Sequence, residues 1–188
     1  ICLDGGISTG GFTDCLLQHG AARVYGVDVG YGQTAWSLRT DPRVVLRERT
    51  NLRHLQADQL FSEGDPRPSL AVSDVSFISL RLILPALRRL LSGPQPEALV
   101  LVKPQFEVGR ERVGRGGVVR DPEAHIQAIE MVVAAAAALD WGPQGLVASP
   151  LTGPAGNHEY VLWLAEEGDG ALPDLTELVS LTLQTPVK

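Results

Sequence analysis

The chain has 188 residues, of which 44% are hydrophobic and 20% charged, and its formal net charge is −6. A domain of this length buries roughly 70% of the surface that its unfolded chain exposes, so the composition excludes a disordered or collagen-like protein. The longest apolar run, residues 131–139, is far shorter than the roughly 20 residues that a membrane-spanning helix needs. No secretory leader is visible, and Cys2 and Cys15 lie among apolar residues. We therefore expect a cytoplasmic protein in which both cysteines are buried, reduced thiols.

Short apolar runs alternate with helical patterns along most of the chain. The runs predict strands buried on both faces, at 1–4, 24–29, 44–46, 70–74 and 98–102. The segments between and after them predict helices, at 11–19, 33–39, 79–91 and 121–139. Ser79 is a plausible N-cap, Asp121 and Pro122 predict a helix start, and Pro85 predicts a kink or break inside the third helix.

Two further apolar runs, 146–149 and 160–165, are joined by a linker too short for a crossover helix, so we expect them to pair antiparallel at the sheet edge. Alternating strands and helices predict an α/β fold of the Rossmann-like, doubly wound type, mostly parallel with this antiparallel edge hairpin. The Gly- and Arg-rich segment 109–117 has no apolar periodicity and is predicted to be a long functional loop.

A glycine-rich turn links the first predicted strand to the first helix, where doubly wound folds bind cofactors through backbone N–H groups. Its spacing matches neither G-x-G-x-x-G nor a Walker A loop, which disfavours a dinucleotide or ATP. A turn that only packs tightly is the alternative. The residues predicted to line a cofactor here are Asp4, Gly5, Gly6, Ser8, Thr9, Gly10, Gly11 and Phe12. Asp74, after the fourth predicted strand, is a further predicted cofactor-binding residue.

An acid, Asp28, lies near the end of the second predicted strand, 24 residues after Asp4. An acid in this position commonly accepts hydrogen bonds from the ribose hydroxyls of an adenosine-bearing cofactor. Thr50 and Asn51 follow the third strand and are expected to face the adenine. An acid that only caps a strand end is the alternative for Asp28.

Asp74 and Lys103 follow the fourth and fifth strands, at the carboxyl ends where open sheets place their chemistry. Lys103 comes after four apolar residues, so it should be partly desolvated, with Asp74 as its ion-pair partner. A purely structural salt bridge is the alternative. The histidines show no metal-ligand spacing, so no metal site is predicted.

Eight segments, taken in order, resemble the haemolysin A (TlyA-type) ribosomal RNA methyltransferases. They are DGGISTGGFT (4–13), VDVGYGQTAW (27–36), DPRVV (41–45), ERTN (48–51), DVSFIS (74–79), VKPQFE (102–107), GGVVRDP (116–122) and SPLTGPAGNHE (149–159). The resemblance implies an FtsJ-like methyltransferase fold that binds S-adenosylmethionine and methylates cytidine 2′-hydroxyls of ribosomal RNA.

The same resemblance implies a Lys-Asp-Lys-Glu catalytic tetrad, in which Asp74, Lys103 and Glu159 match the last three members. The family's first lysine and its S4-like RNA-binding domain have no counterpart in residues 1–188, so we expect these residues to form the methyltransferase domain alone. Family members act on ribosomal RNA or a ribosomal subunit. The oligomeric state is not predicted.

Basic residues are concentrated in the first part of the chain. Residues 1–120 carry 15 Lys and Arg against 12 Asp and Glu, a balance of +3, whereas the remainder carries one Lys against 10 acids, a balance of −9. The segment 108–120 is expected to contact RNA phosphates or a splayed base, and a solvated loop is the alternative. Its predicted RNA-binding residues are Arg110, Arg112, Arg115 and Arg120.

Three other functions compete with methylation. An NAD-dependent oxidoreductase is disfavoured by the missing G-x-G-x-x-G and by the lack of a second substrate domain. A membrane-active haemolysin would need a cationic amphipathic helix or a membrane span, and neither pattern is visible in the sequence. A catalytically silent RNA-binding module is the third alternative.

Overall fold

The computed structural model describes residues 1–166 and 170–185. Its strands form one seven-stranded sheet in the order β3-β2-β1-β4-β5-β7-β6. The strands are β1 (Cys2–Gly5), β2 (Val24–Val27), β3 (Val44–Arg47), β4 (Leu70–Ser73), β5 (Glu97–Val102), β6 (Trp141–Ala148) and β7 (Tyr160–Glu166). β1 pairs in parallel with β2 and β4, β2 pairs in parallel with β3, and β6 pairs antiparallel with β7. The predicted fold class is thereby confirmed, including the antiparallel edge hairpin.

The helices are α1 (Gly11–Gln18), α2 (Trp36–Arg39), α3 (Ala57–Leu60), α4 (Leu84–Leu90), α5 (Pro104–Glu107), α6 (Pro122–Ala137) and α7 (Leu175–Gln184). The predicted helix 33–39 is reduced to one turn. The predicted helix 79–91 is broken into a 3₁₀ turn (Leu80–Leu82) and α4. Pro85 causes this break, because it occupies the first turn of α4, where a missing N–H costs no intrahelical hydrogen bond.

Several boundaries differ from the sequence expectations for identifiable reasons. β2 ends two residues early, because the chain turns after Val27, where Asp28 accepts a backbone hydrogen bond from Gly30. β6 begins at Trp141, five residues before the predicted start, since Pro143 and Gly145 interrupt its apolar pattern and its register shifts between them. The sequence predictions left out the helices α3, α5 and α7.

Cys15 is exposed, so the prediction that both cysteines are buried was wrong for this one. The buried face of α1 carries Thr13 and Leu17, one helical turn apart. Cys15 lies midway between them in sequence and therefore on the opposite face. Cys2 is buried in β1, and this burial raises the pKa of its thiol.

The described chain divides into two compact units. The first contains residues 1–75 and 82–99, and the second contains residues 76–81 and the described residues from 100 onward. In the first unit, side chains from β1, α1, β2 and α2 form a core cluster. Its buried members are Cys2, Leu17, Val24 and Leu38.

The second unit packs α6 against β6, α5 and α7. Small residues of α6, including Ala128 and Ala136, are completely buried, which allows close approach of the neighbouring elements. Asp121 caps α6 by accepting a hydrogen bond from the Glu123 N–H, as its position before Pro122 predicts. Within residues 1–166 and 170–185, no helix combines the length and apolarity that crossing a membrane requires.

Candidate active site

The sheet places the ends of β1 and β4 side by side in the first unit. Gly5 of β1 is in register with Ser73 of β4, so the residues that follow, Gly6 and Asp74, leave the sheet together. Gly6 has φ +87°, and a Cβ there would lie 2.4 Å from the Asp74 carbonyl oxygen. Only glycine permits both the left-handed backbone and this close approach. The strand order reverses between β1 and β4, which is where open α/β sheets bind their ligands.

Most backbone N–H groups of the turn 6–11 are already hydrogen-bonded to acceptors in the protein. Gly6 and Ile7 donate to the Val27 carbonyl, Gly10 donates to Ile7, and Ser8 donates to the Asp28 carboxylate. The first N–H groups of α1, on Gly11 and on Phe12 beyond it, have no intrahelical acceptor. The donors available to a ligand are therefore fewer than the glycine pattern predicts, and they lie at the start of α1.

Asp28 holds this turn through both of its carboxylate oxygens. Oδ2 accepts the Ser8 N–H at 2.8 Å, and Oδ1 accepts the Gly30 N–H at 2.7 Å. Each oxygen of an ionised carboxylate can accept a second hydrogen bond. Asp28 therefore has remaining capacity for two ribose hydroxyls. Its predicted role in cofactor binding stays a prediction.

Asp4 lies beneath the turn and is only 1% exposed. The Thr13 hydroxyl of α1 donates to Asp4 Oδ2 at 2.6 Å, whereas Oδ1 has no hydrogen-bond partner among the described residues. Burial raises the pKa of the Asp4 carboxyl to about 6, although the Thr13 hydrogen bonds partly oppose this shift. A buried carboxylate with one unsatisfied oxygen is costly, so a nearby cation would stabilise it.

Thr50 and Asn51 border a depression of about 400 Å³ beyond the end of β3. The Thr50 hydroxyl donates to the Glu48 carbonyl, and the Asn51 side chain accepts a hydrogen bond from the Arg53 N–H. Arg49 adopts φ +53°, and its guanidinium carbon lies 4.1 Å from the ring centre of Tyr31. The adenine contact predicted for this segment stays a prediction.

Lys103 belongs to the second unit, where it follows β5 and is 9% exposed. Its Nζ atom donates to the Ser76 hydroxyl at 3.1 Å and lies 4.0 Å from a carboxylate oxygen of Glu159. The Gln105 amide donates to the same Glu159 oxygen at 3.3 Å. The structure thus brings together Lys103 and Glu159, which are 56 positions apart in the sequence. The predicted ion pair between Asp74 and Lys103 stays a prediction.

The loop between β6 and β7 delivers Glu159. Ser149 donates its N–H to the Glu159 carbonyl, and Gly153 donates to the Asn157 carbonyl, both at 2.8 Å. A Cβ on Gly153 would lie 2.8 Å from a Glu159 carboxylate oxygen, so a side chain there would displace the carboxylate. Glu159 itself is 5% exposed, and partners such as Lys103 and Gln105 stabilise a carboxylate buried to this extent.

The arginine-rich loop contains two short 3₁₀ turns, Arg110–Arg112 and Arg115–Gly117. Arg112 bonds to the Asp121 cap of α6 and to the Gln127 side chain, so it anchors the loop. The buried side chain of Asn157 accepts the Val119 N–H and donates to the Gly117 carbonyl. The exposed arginines of the loop are Arg110, Arg115 and Arg120.

Sequence analysis did not identify three buried polar residues of the second unit. Asn157 holds the arginine loop, and Glu107 binds the segment 76–81. His125 lies within hydrogen-bond distance of the Tyr160 hydroxyl and the Val119 carbonyl, and burial lowers the pKa of its imidazole. The available signal for each of them was a polar residue among apolar neighbours. This signal does not identify the hydrogen-bond partners, because these lie 6 to 40 positions away in sequence.

The fold thus combines a glycine turn after β1, an acid after β2 and an antiparallel β6–β7 pair at the edge of a mostly parallel sheet. Geranyl diphosphate methyltransferase, solved in complex with S-adenosylmethionine, shares this fold with a TM-score of 0.57 at 17% identity, over 88% of this chain and 77% of that one. A family model described as FtsJ-like methyltransferase matches residues 1–166. The chain belongs to the FtsJ-like methyltransferase family.

Closer relatives carry two kinds of name. A 16S/23S rRNA (cytidine-2′-O)-methyltransferase, TlyA, of Mycobacterium tuberculosis is 53% identical over 91% of this chain and 62% of its own length. Hemolysin A of Brachyspira hyodysenteriae is 40% identical over 86% of this chain and 65% of its own length. A crystal structure from Lactococcus lactis, provisionally called a hemolysin, has a TM-score of 0.87 at 45% identity, over 96% of this chain and 86% of that one. The chain therefore spans about three fifths of the length of these curated relatives.

Replacing Asp4 by Asn should change how stability depends on pH. Because the folded pKa of about 6 exceeds the ordinary value of 3.8, the folded state binds more protons between these values, and Asp4 lowers stability as pH rises through this window. Urea unfolding should show the difference in unfolding free energy, Asp4→Asn minus wild type, increasing by about 3 kcal/mol from pH 3 to pH 8.

Thr13→Val serves as the companion variant. It removes the donor that offsets burial, so it should raise the Asp4 pKa further and enlarge the same pH dependence. A pH-independent difference between Asp4→Asn and wild type would contradict the proposed ionisation of Asp4.

Proposed function

We propose that this protein uses S-adenosylmethionine to methylate ribose 2′-hydroxyls, at cytidine, in ribosomal RNA. The observation that carries the proposal is the buried Lys103, held between a serine hydroxyl and the Glu159 carboxylate. The identity with an rRNA (cytidine-2′-O)-methyltransferase supports the choice of substrate. Cytoplasmic location is part of the same proposal.

The first unit offers groups that suit the cofactor. S-adenosylmethionine carries a sulfonium, an ammonium and a ribose diol, and it supplies an electrophilic methyl group. The carboxylates of Asp4, Asp28 and Asp74 would favour the positive charges, and Asp28 could also accept from the diol. A Cβ on Gly11 would meet nothing within 4 Å, so the start of α1 is open to a ligand.

Lys103 supplies the chemistry expected on the acceptor side. A ribose hydroxyl is a weak nucleophile, and a positioned ammonium can orient its oxygen and stabilise the negative charge that develops there. By analogy with a single oxyanion donor, this interaction contributes on the order of 2 to 4 kcal/mol to the transition state. The Glu159 carboxylate, 4.0 Å from the ammonium, helps to hold it in place.

Replacing Lys103 by Met should lower methyl transfer by at least 100-fold, because Met keeps the apolar stem but removes the ammonium. Affinity for S-adenosylmethionine should stay within a few fold, since the interaction forms in the transition state. Incorporation of labelled methyl groups into ribosomal RNA by the full-length protein measures the first effect, and calorimetry measures the second. Substantial turnover by a folded Lys103→Met variant would refute this mechanism.

Replacing Asp28 by Ala should weaken S-adenosylmethionine binding by at least tenfold, because hydrogen bonds to a charged acceptor contribute about 1.5 to 3 kcal/mol each. Calorimetry on the purified protein measures the change. Asp14→Ala, an exposed acid on α1 of the same unit, is the matched control and should leave affinity within twofold. Unchanged affinity in a folded Asp28→Ala variant would exclude Asp28 from the cofactor site.

The exposed arginines of the loop 109–120 are proposed to bind RNA phosphates. Replacing Arg110, Arg115 and Arg120 together by Gln should lower RNA affinity and flatten its salt dependence, by roughly 0.7 units of logarithmic slope per lost contact to single-stranded RNA. Cofactor affinity should not change. Arg112 is left intact, because its loss would release the loop from α6.

The contrasting variant is Arg53→Gln, an exposed arginine in the first unit. If the triple variant keeps the wild-type salt slope and Arg53→Gln reduces it, the RNA surface lies on the first unit, with Arg39 and Arg43 as further members.

A further inference from the structure

The four-residue helix α5 contacts the segment 76–81 at three successive points. At its start, the Lys103 ammonium donates to the Ser76 hydroxyl. One turn later, the ring of Phe106 lies 5.3 Å from the ring of Phe77. At its end, Glu107 binds the 3₁₀ turn that begins at Leu80. These contacts follow the same order along the helix and along the segment, so the two run side by side.

Glu107 makes the strongest of these contacts. Its carboxylate accepts the Ser79 hydroxyl and the Leu80 N–H, each at 2.6 Å, and lies 3.4 Å from the Arg81 Nε atom. The residue is 4% exposed. A buried carboxylate destabilises a fold unless such donors surround it, so these contacts fix the segment to α5.

The segment bound in this way has a strained backbone. Phe77 adopts φ +64°, a conformation uncommon for any residue other than glycine, while its side chain is 92% exposed. Such a conformation persists where the surrounding contacts determine it. The contacts on either side are Lys103 to Ser76 and Glu107 to Ser79 and Leu80.

We propose that Ser76 is a positioning residue for Lys103, and that Glu107 holds Ser76 in place by binding the segment 76–81. The inference rests on the function proposed for Lys103. An ammonium on four methylene groups rotates freely unless its N–H groups are bound, and the Ser76 oxygen fixes one of their directions. The Glu107 carboxylate acts through the shared segment, by binding Ser79 and Leu80.

Steady-state methylation of ribosomal RNA by the full-length protein tests the positioning role. Ser76→Ala should lower kcat about tenfold, the effect of losing one hydrogen bond to a charged group, while KM for RNA stays within twofold. Ser76→Thr keeps the hydroxyl and should restore most of kcat. Ser69→Ala, an exposed serine in the first unit, is the matched control and should match wild type.

Glu107→Gln tests the longer-range part of the inference. Glutamine loses the charge and one of the two acceptor oxygens, so the bonds from Ser79 and Leu80 cannot both be kept at full strength; amide hydrogen exchange at Leu80 should accelerate and kcat should fall with KM unchanged. Ser79→Ala removes one of the two hydrogen bonds that the Glu107 carboxylate accepts, together with those that Arg81 donates to Ser79, and should show a smaller effect of the same kind. It provides the test if Glu107→Gln is unstable. Glu130→Gln, on the exposed face of α6, should leave both measurements unchanged.

Lysine-selective NMR separates this inference from the proposed function. The Lys103 Nζ signal, assigned by its loss in Lys103→Arg, should move in Ser76→Ala and also in Glu107→Gln. A signal unchanged in both variants, or wild-type kcat in Ser76→Ala, would overturn the positioning role. An inactive wild-type protein with the expected NMR shifts would instead refute the methyltransferase activity and leave the side-chain coupling established.

Discussion

The close backbone contact between Gly6 and Asp74 is the constraint on which the first unit depends. A Cβ at Gly6 would lie 2.4 Å from the Asp74 carbonyl oxygen, so only glycine allows the chain to leave β1 this close to the end of β4. The turn to α1 then starts beside that junction, where Asp28 and Val27 accept its N–H groups. The close approach of the chain after β1 to the chain after β4, and the start of the turn beside it, therefore require a position without a side chain.

Much of this arrangement could be predicted from the sequence, because each signal was local. Apolar runs between glycine, proline and aspartate predicted the strands, and Asp121 with Pro122 predicted the start of α6. The antiparallel edge followed from a linker too short for a crossover. Two local patterns were misleading. Residues 33–35 were predicted to be helical but lie outside α2, and Pro143 and Gly145 interrupt the apolar pattern at the beginning of β6.

The buried polar contacts could not be predicted in the same way, since they depend on residues far apart in sequence. Glu107 meets Ser79 across 28 positions, and Asn157 meets Gly117 across 40. Arg112 differs from the other arginines of the loop: its predicted phosphate contact stays a prediction, and in the structure its guanidinium bonds to Asp121 and Gln127. Charge counts identify a basic loop without telling which of its arginines are already engaged.

The two hydrogen bonds that the Asp28 carboxylate already accepts affect how a ligand would bind beside it. Because both oxygens already hold N–H groups of Ser8 and Gly30, the two loops that flank this acid are ordered before any ligand arrives. The conformational entropy of these loops is therefore lost when the protein folds, and not when a ligand binds. Such a preorganised receptor should change little in backbone shape on binding, with an association rate limited by encounter instead of by rearrangement.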